Sequence, residues 1–274
     1  MELEITKIYC VCEDFLNAVG YRDDPQSCMS TAEVMTTALT AARFFSGNHE
    51  AARNFLFEHG YMNGMLSKSR LNRRLHQIPE SLWRLLTEVC AQTAHDCNPL
   101  KIYLIDSFPV PVCRNIRIKN CRIYQDEEFR GYNSSKKEYF YGLKVHLLIS
   151  ESGVPVEIFL SPGSYSDTSS LYDFTFPLPE GSAVYGDKAY NVYGIEDELK
   201  EREIALMPIR KNNSLRKYNF LTGTGISCIR KKIETVFSLI GRKLPAHIHA
   251  VTSRGFELKT LLFVLACGLE AAVL

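Results

Sequence analysis

Residues 103–112 read YLIDSFPVPV. Tyr103, Leu104 and Ile105 form an apolar, strand-like run that ends on a carboxylate, Asp106. Burying a lone charge costs several kcal/mol unless it is paired or bound to a cation. A second short strand, SAVYGD, ends the same way at Asp187, with Gly186 allowing close approach of a neighbour or ligand. Two strands ending alike can bring two carboxylates to one sheet edge, where they repel unless a divalent cation neutralises them. Hard oxygen donors with few His or Cys partners favour Mg²⁺ or Mn²⁺ over zinc. Glu234 is a third candidate, because it lies beside the apolar stripe Ile226, Ile229, Ile233, Val236 and Ile240 of GISCIRKKIETVFSLIG. Arg230 and Glu234 are spaced i,i+4, but Arg before Glu is the poorer order for a surface pair. Such a pair contributes only about 0.3–0.5 kcal/mol. Taken singly, each acid reads more readily as a cap, turn or surface residue than as a ligand; in combination the balance changes.

Around these acids the chain reads as two parts. Residues 1–97 are helical in pattern. TKIYCVCEDFLNAVG stops at Gly20, STAEVMTTALTAARFFSG opens with Ser30 and Glu33 at capping-box spacing, and NHEAARNFLFEHG runs from Asn48 to Gly60. Pro79 separates two further amphipathic helices. The first of them carries Lys68, Arg70, Arg73 and Arg74 opposite Leu66, Leu71 and Leu75. That basic helix suits either a helix-turn-helix-like recognition element or an ordinary bundle with a basic surface. From 98 to 274 the order is strand, hairpin (EYFYGLKVHLLIS and GVPVEIFLS around Ser152–Gly153), strand, helix, strand, helix. This predicts a mixed α/β fold preceded by a small all-α domain. Residues 110–138 are expected to form a long basic loop after Asp106.

Net charge is only +1, yet Glu234 is the only acid from 210 to 254, against ten Lys and Arg residues. Residues 1–64 carry more acids than bases. This asymmetry predicts a polyanion-binding surface on part of the molecule. The nine cysteines include no CxxC pair, so reduced thiols are expected rather than zinc sites or disulfides. The N-terminus lacks the basic region of a signal peptide. LLFVLACGL (261–269) is too short for a bilayer and reads as a packed core helix. These features point to the cytoplasm and away from membranes.

Taken in order, IDSFPVPV, YFYGLKVHLL, PGSYSD, GDKAY, PIRKN and IRKKIETVFS resemble bacterial insertion-sequence transposases with an RNase H-like DDE domain, of the group numbered nine-eighty-two. The resemblance implies an RNase H-like mixed sheet with flanking helices. It makes Asp106, Asp187 and Glu234 the catalytic triad, holding two Mg²⁺ or Mn²⁺ ions. These acids stand 81 and 47 positions apart. It implies strand cleavage at element ends and strand transfer to target DNA. Its partner would be double-stranded DNA, both terminal inverted repeats and target, bound by a homo-oligomer at the bacterial nucleoid. Lys144, Lys188, Arg210, Lys211, Arg230, Lys231 and Lys232, with Lys68, Arg70, Arg73 and Arg74 on the N-terminal helix, become candidate DNA contacts. His146 reads as a polar residue on the solvent side of a strand or as a site residue. Asp167 matches a recurrent acid of the family or caps a helix. The chain departs from related transposases at Ser227 and Gly241, where Tyr and Lys are common. A nuclease that cuts without joining, and an inactive DNA-binding relic, fit the same residues.

Overall fold

A computed structural model describes residues 1–272 apart from 135 and 246, and leaves out the side chains of Ser227, Arg230, Lys232 and Ile233. The chain opens with α1 (Glu2–Ala18), α2 (Thr31–Phe44), α3 (His49–Glu58), α4 (Lys68–Gln77) and α5 (Glu80–Asp96). Their boundaries follow the local chemistry. Ser30 Oγ accepts from the Glu33 N–H at 3.1 Å while Glu33 Oε2 accepts from the Ser30 N–H at 2.7 Å, closing the capping box of α2. The Asn48 side chain accepts from the N–H groups of Glu50 and Ala51 to start α3.

The strands β1 (Ile102–Arg114), β2 (Arg130–Asn133), β3 (Glu138–Ser150) and β4 (Pro155–Pro162) come next, followed by the single turn α6 (Asp167–Ser170). Then β5 (Ala183–Gly186), α7 (Tyr193–Glu201), β6 (Ala205–Pro208), α8 (Phe220–Lys243) and α9 (Ser253–Ala272) complete the fold. The sheet order is β4-β3-β1-β5-β6, with β2 adding a short edge to the far end of β3. The first three of these strands are antiparallel, while β1, β5 and β6 run parallel. This is the RNase H-like mixed sheet expected from the sequence.

β1 differs from expectation. It does not stop at Asp106 but continues to Arg114 along the 13-residue β3, so residues 110–114 are strand rather than loop. Its other neighbour, β5, pairs only with Ile102 to Leu104. The Ile102 carbonyl accepts from Glu151 on the β3 side, and the Lys101 carbonyl accepts from Ala183 on the β5 side. By the same alternation Pro109 and Pro111 turn toward the β5 side, where no strand needs the N–H they lack. The long strand therefore tolerates two prolines because half of it is an open edge.

The two faces of β1 meet different partners. Leu104 and Val110 join the large cluster formed with α1, α2, α4, α5, α8 and α9, in which Trp83, Leu86, Phe256 and Phe263 are buried. Tyr103 and Ile105 join a second cluster with Phe174, Phe176, Tyr190, Ile195 and Leu206. α5 packs on β4 and α9, so the N-terminal helices share one core with the sheet. α9 is buried from Leu262 to Leu269, as its apolar sequence predicted. Among the described residues no helix is long and apolar enough to cross a membrane.

Candidate active site

Asp106 lies two residues past the last β1–β5 pair, at the point where the sheet edge opens. Ser107, the next residue, turns its N–H toward that unpaired side, and the Asp106 carboxylate accepts it through Oδ1 at 2.8 Å. The acid thus satisfies a strand-edge donor, and this answers in part why an apolar strand delivers a carboxylate here. Alternation places the Asp106 side chain on the Leu104 face, the face covered by α8.

Asp187 follows directly on β5 and begins the 3-10 turn Lys188–Tyr190. Gly186 before it packs so tightly that an added Cβ would lie 2.7 Å from Ile105 Cγ2 and 2.9 Å from Tyr190 Cδ2. The close approach that Gly186 permits is therefore to a neighbouring strand and to its own turn. Glu234 is carried to the same region by α8, which packs against β1 and β5.

Asp106 lies within electrostatic reach of the other acids. Burial pushes the Asp106 carboxyl up to about 7, against the lowering effect of the Ser107 N–H; the carboxylates of Asp167, Asp187 and Glu234 push it further in the same direction. Behind the strand, the Tyr190 phenol is held well above its ordinary value, by burial first and then chiefly by Asp106 and Asp167. Its hydroxyl sits near Ser107 without a well-formed hydrogen bond.

The donor set fits a hard divalent cation. It is all carboxylate oxygen and it includes a partly buried acid, Asp106, whose proton affinity the neighbouring carboxylates raise. Yet among the described residues no three His, Cys, Asp or Glu side chains are placed to hold one ion. The acids are gathered at one edge without being closed into a cage.

The remaining sequence candidates divide sharply. Lys188, Lys211 and Lys231 are exposed. Arg210 is not available: its guanidinium makes a double contact with Glu196, and the two side chains are only 13% and 8% exposed. Arg216 joins them, and Tyr193 and Tyr218 stack on the cations. Lys144 also turns inward, donating to the Tyr165 carbonyl at 2.6 Å and to Asp167 Oδ1 at 3.2 Å. The side chains of Arg230 and Lys232 lie outside the described residues, as does that of Ser227. His146 is fully buried rather than on a solvent-facing side, stacked on Phe159 and bonded through Nε2 to Ser161 Oγ at 2.8 Å. Burial pushes it down to about 4, so it is neutral at pH 7. On α4, Lys68, Arg70 and Arg73 are exposed, whereas Arg74 bonds Asp23 and the Met29 carbonyl. Arg70, Arg73 and Arg74 line a hollow of about 250 Å³ with Cys28 and Gln77. All nine cysteines are free thiols.

Residues 96–248, more than half of the chain, match the family model described as a transposase DDE domain. The chain belongs to that family. The matched span of this DDE transposase domain runs from the end of α5 to just past α8 and contains all three candidate acids. No curated protein matches the sequence. Among solved structures, a piggyBac transposase synaptic complex with hairpin DNA is 11% identical, with a TM-score of 0.48 over 96% of this chain and 70% of that one. A Mos1 transposase paired-end complex is 10% identical, with a TM-score of 0.26 over 80% of each chain. Likeness at this level assigns no activity to the DDE transposase domain described here.

Two features of the site were not foreseen from the sequence. Ser107 is the pivot of the hydrogen bonds around Asp106, yet a serine after an aspartate carries no signal of its own. Glu196, in a helix of mostly polar sequence, is buried and holds Arg210. The only sequence signal for that pair was the clustering of Arg210 and Arg216 opposite an acidic helix.

Proposed function

We propose that this chain is a DNA transposase that cleaves strands at the ends of its element and joins them to target DNA by divalent-metal-assisted phosphoryl transfer. The observation that carries this reading is the gathering of Asp106, Asp187 and Glu234 at the open edge between β1 and β5, in a chain of the DDE transposase family. Asp106, Asp187 and Glu234 would hold the ions, two Mg²⁺ or Mn²⁺. When bound, such ions neutralise phosphate charge and make water acidic enough to attack.

The chain's own residues have separate tasks. Asp106 supplies a carboxylate already oriented by the Ser107 N–H, so little reorganisation is needed when its proton leaves. The exposed Lys188 and Lys211 flank the end of β5 and the segment after β6 and bind backbone phosphates. Lys211 and Lys217 also line a hollow of about 480 Å³ against the first turns of α8, which supports a phosphate-binding surface there. Lys231 extends this surface along α8. The N-terminal helices, with Lys68, Arg70 and Arg73 on α4, recognise the terminal inverted repeats. Two ends must be held together, so the active form is a homo-oligomer on DNA, working at the bacterial nucleoid. The finer assignment to insertion-sequence group nine-eighty-two rests on the six sequence motifs.

The test uses duplexes carrying the inverted repeats that flank the coding DNA. Asp106→Asn should bind them as the parent does and fail to cut them with Mg²⁺ or Mn²⁺ present. Undiminished cutting by that variant would rule the metal role out. Products joined to a second duplex separate a transposase from a nuclease that only cuts.

A further inference from the structure

The short segment around α6 ties together the two strands that deliver the aspartates. Direct pairing of β1 with β5 ends at Leu104 and Tyr185, so no ladder bond joins Asp106 to Asp187. Beyond that point the connection passes through residues 165–168. Ser107 Oγ donates to Asp167 Oδ1 at 2.6 Å, on the face of β1 opposite the Asp106 carboxylate. Lys144, on β3, donates to the same Asp167 oxygen and to the Tyr165 carbonyl, fixing the acid in place. The next residue reaches the other strand: Thr168 Oγ1 donates at 2.9 Å to the carbonyl of Ala189, inside the turn that begins at Asp187. Ser166 caps the turn between them by accepting from the Ser169 N–H.

We propose that Asp167 and Thr168 are positioning residues, forming a brace that sets the separation of Asp106 and Asp187 where the β1–β5 ladder has stopped. The inference rests on the reading of Asp106 and Asp187 as metal-holding residues. Asp167 acts through Ser107, not as a ligand, because Ser107 and Asp106 point to opposite faces of β1. Residues that orient metal ligands from outside typically alter metal affinity by about 10-fold to 100-fold when removed.

The experiment uses the full chain without DNA and Mn²⁺ alone as the probe. Mn²⁺ affinity is read by electron paramagnetic resonance, and amide hydrogen exchange is followed by mass spectrometry over 103–109 and 185–191 in metal-free protein. Asp167→Ala and Thr168→Val should weaken Mn²⁺ binding about 10-fold or more and speed exchange in both segments, with melting temperatures close to the parent's. Asp167→Asn keeps an oxygen that can accept from Ser107 and Lys144, and should stay within about threefold of the parent, well short of that 10-fold loss. Exchange and affinity unchanged in Asp167→Ala and Thr168→Val would overturn the brace. Equal losses in Asp167→Asn and Asp167→Ala would overturn it too, since a charge would then matter and not the bond. A parent protein that binds no Mn²⁺ would instead defeat the proposed function, and the exchange measurement would still judge the brace.

Discussion

Replacing Asp106 with asparagine should change the pH dependence of stability in a defined direction. The folded carboxyl holds its proton up to about 7, whereas its ordinary value is 3.8. Between those values the folded state carries the extra proton, so stability falls as pH rises through that window and the favourable contribution is complete only below it. From 3.8 to about 7, at about 1.4 kcal/mol per pH unit, the span is about 4 kcal/mol. Screening from the open side of the strand reduces it to about half. Asparagine keeps an oxygen for the Ser107 N–H and never ionises. Metal-free Asp106→Asn should therefore gain about 2–4 kcal/mol on the parent between pH 4.5 and pH 8. In melting temperature this is a relative gain of roughly 4–12 °C for a chain of this size. Urea denaturation at each pH, with chelator present, measures it. Saturating Mn²⁺ at pH 8 should stabilise the parent and not the variant, since only the parent keeps the full donor set. A stability difference that stays constant across that pH range would refute the reasoning, because Asp106 would then not be the crowded, poorly solvated acid described here.

Other sites give sharper, simpler outcomes. Glu196→Ala leaves the Arg210 guanidinium nearly buried without its partner, and should lower unfolding free energy by about 3–5 kcal/mol in urea titration. Gly186→Ala forces a Cβ to within 2.7 Å of Ile105 Cγ2. It should cost about 1–3 kcal/mol by the same titration and weaken Mn²⁺ binding as Asp187 is displaced. The pair Arg70→Ala and Arg73→Ala should reduce duplex affinity for all sequences, with the slope of log affinity against log salt shallower by about 1.8, seen by fluorescence anisotropy. His146→Asn removes a buried ring that is neutral at pH 7. It should destabilise the fold by about 2–4 kcal/mol on thermal denaturation without shifting the pH profile of cleavage above pH 6.

Much of this protein was legible in one dimension because its elements are locally encoded. The Ser30–Glu33 box, the Asn48 cap and the apolar run of α9 each fix an element through neighbours within a few residues. The order of strands and helices gave the mixed sheet, and the two aspartates stood out because each follows an apolar strand. The length of β1 was hidden. Residues 110–138 read as one basic loop, and only the early end of β5 leaves an edge on which Pro109 and Pro111 can sit within a strand. The fates of the charges were hidden too. Arg210 and Lys144 read as phosphate contacts, but one is held by Glu196, 14 positions away, and the other by Asp167, 23 positions away. The sequence by itself determined which residues can carry charge at the ends of which strands and helices, since periodicity and capping act over one or two turns. Tertiary structure alone decided which of those charges meet each other and which meet solvent, because electrostatic and hydrogen-bond partners are chosen by distance in space, and chain separation does not constrain it.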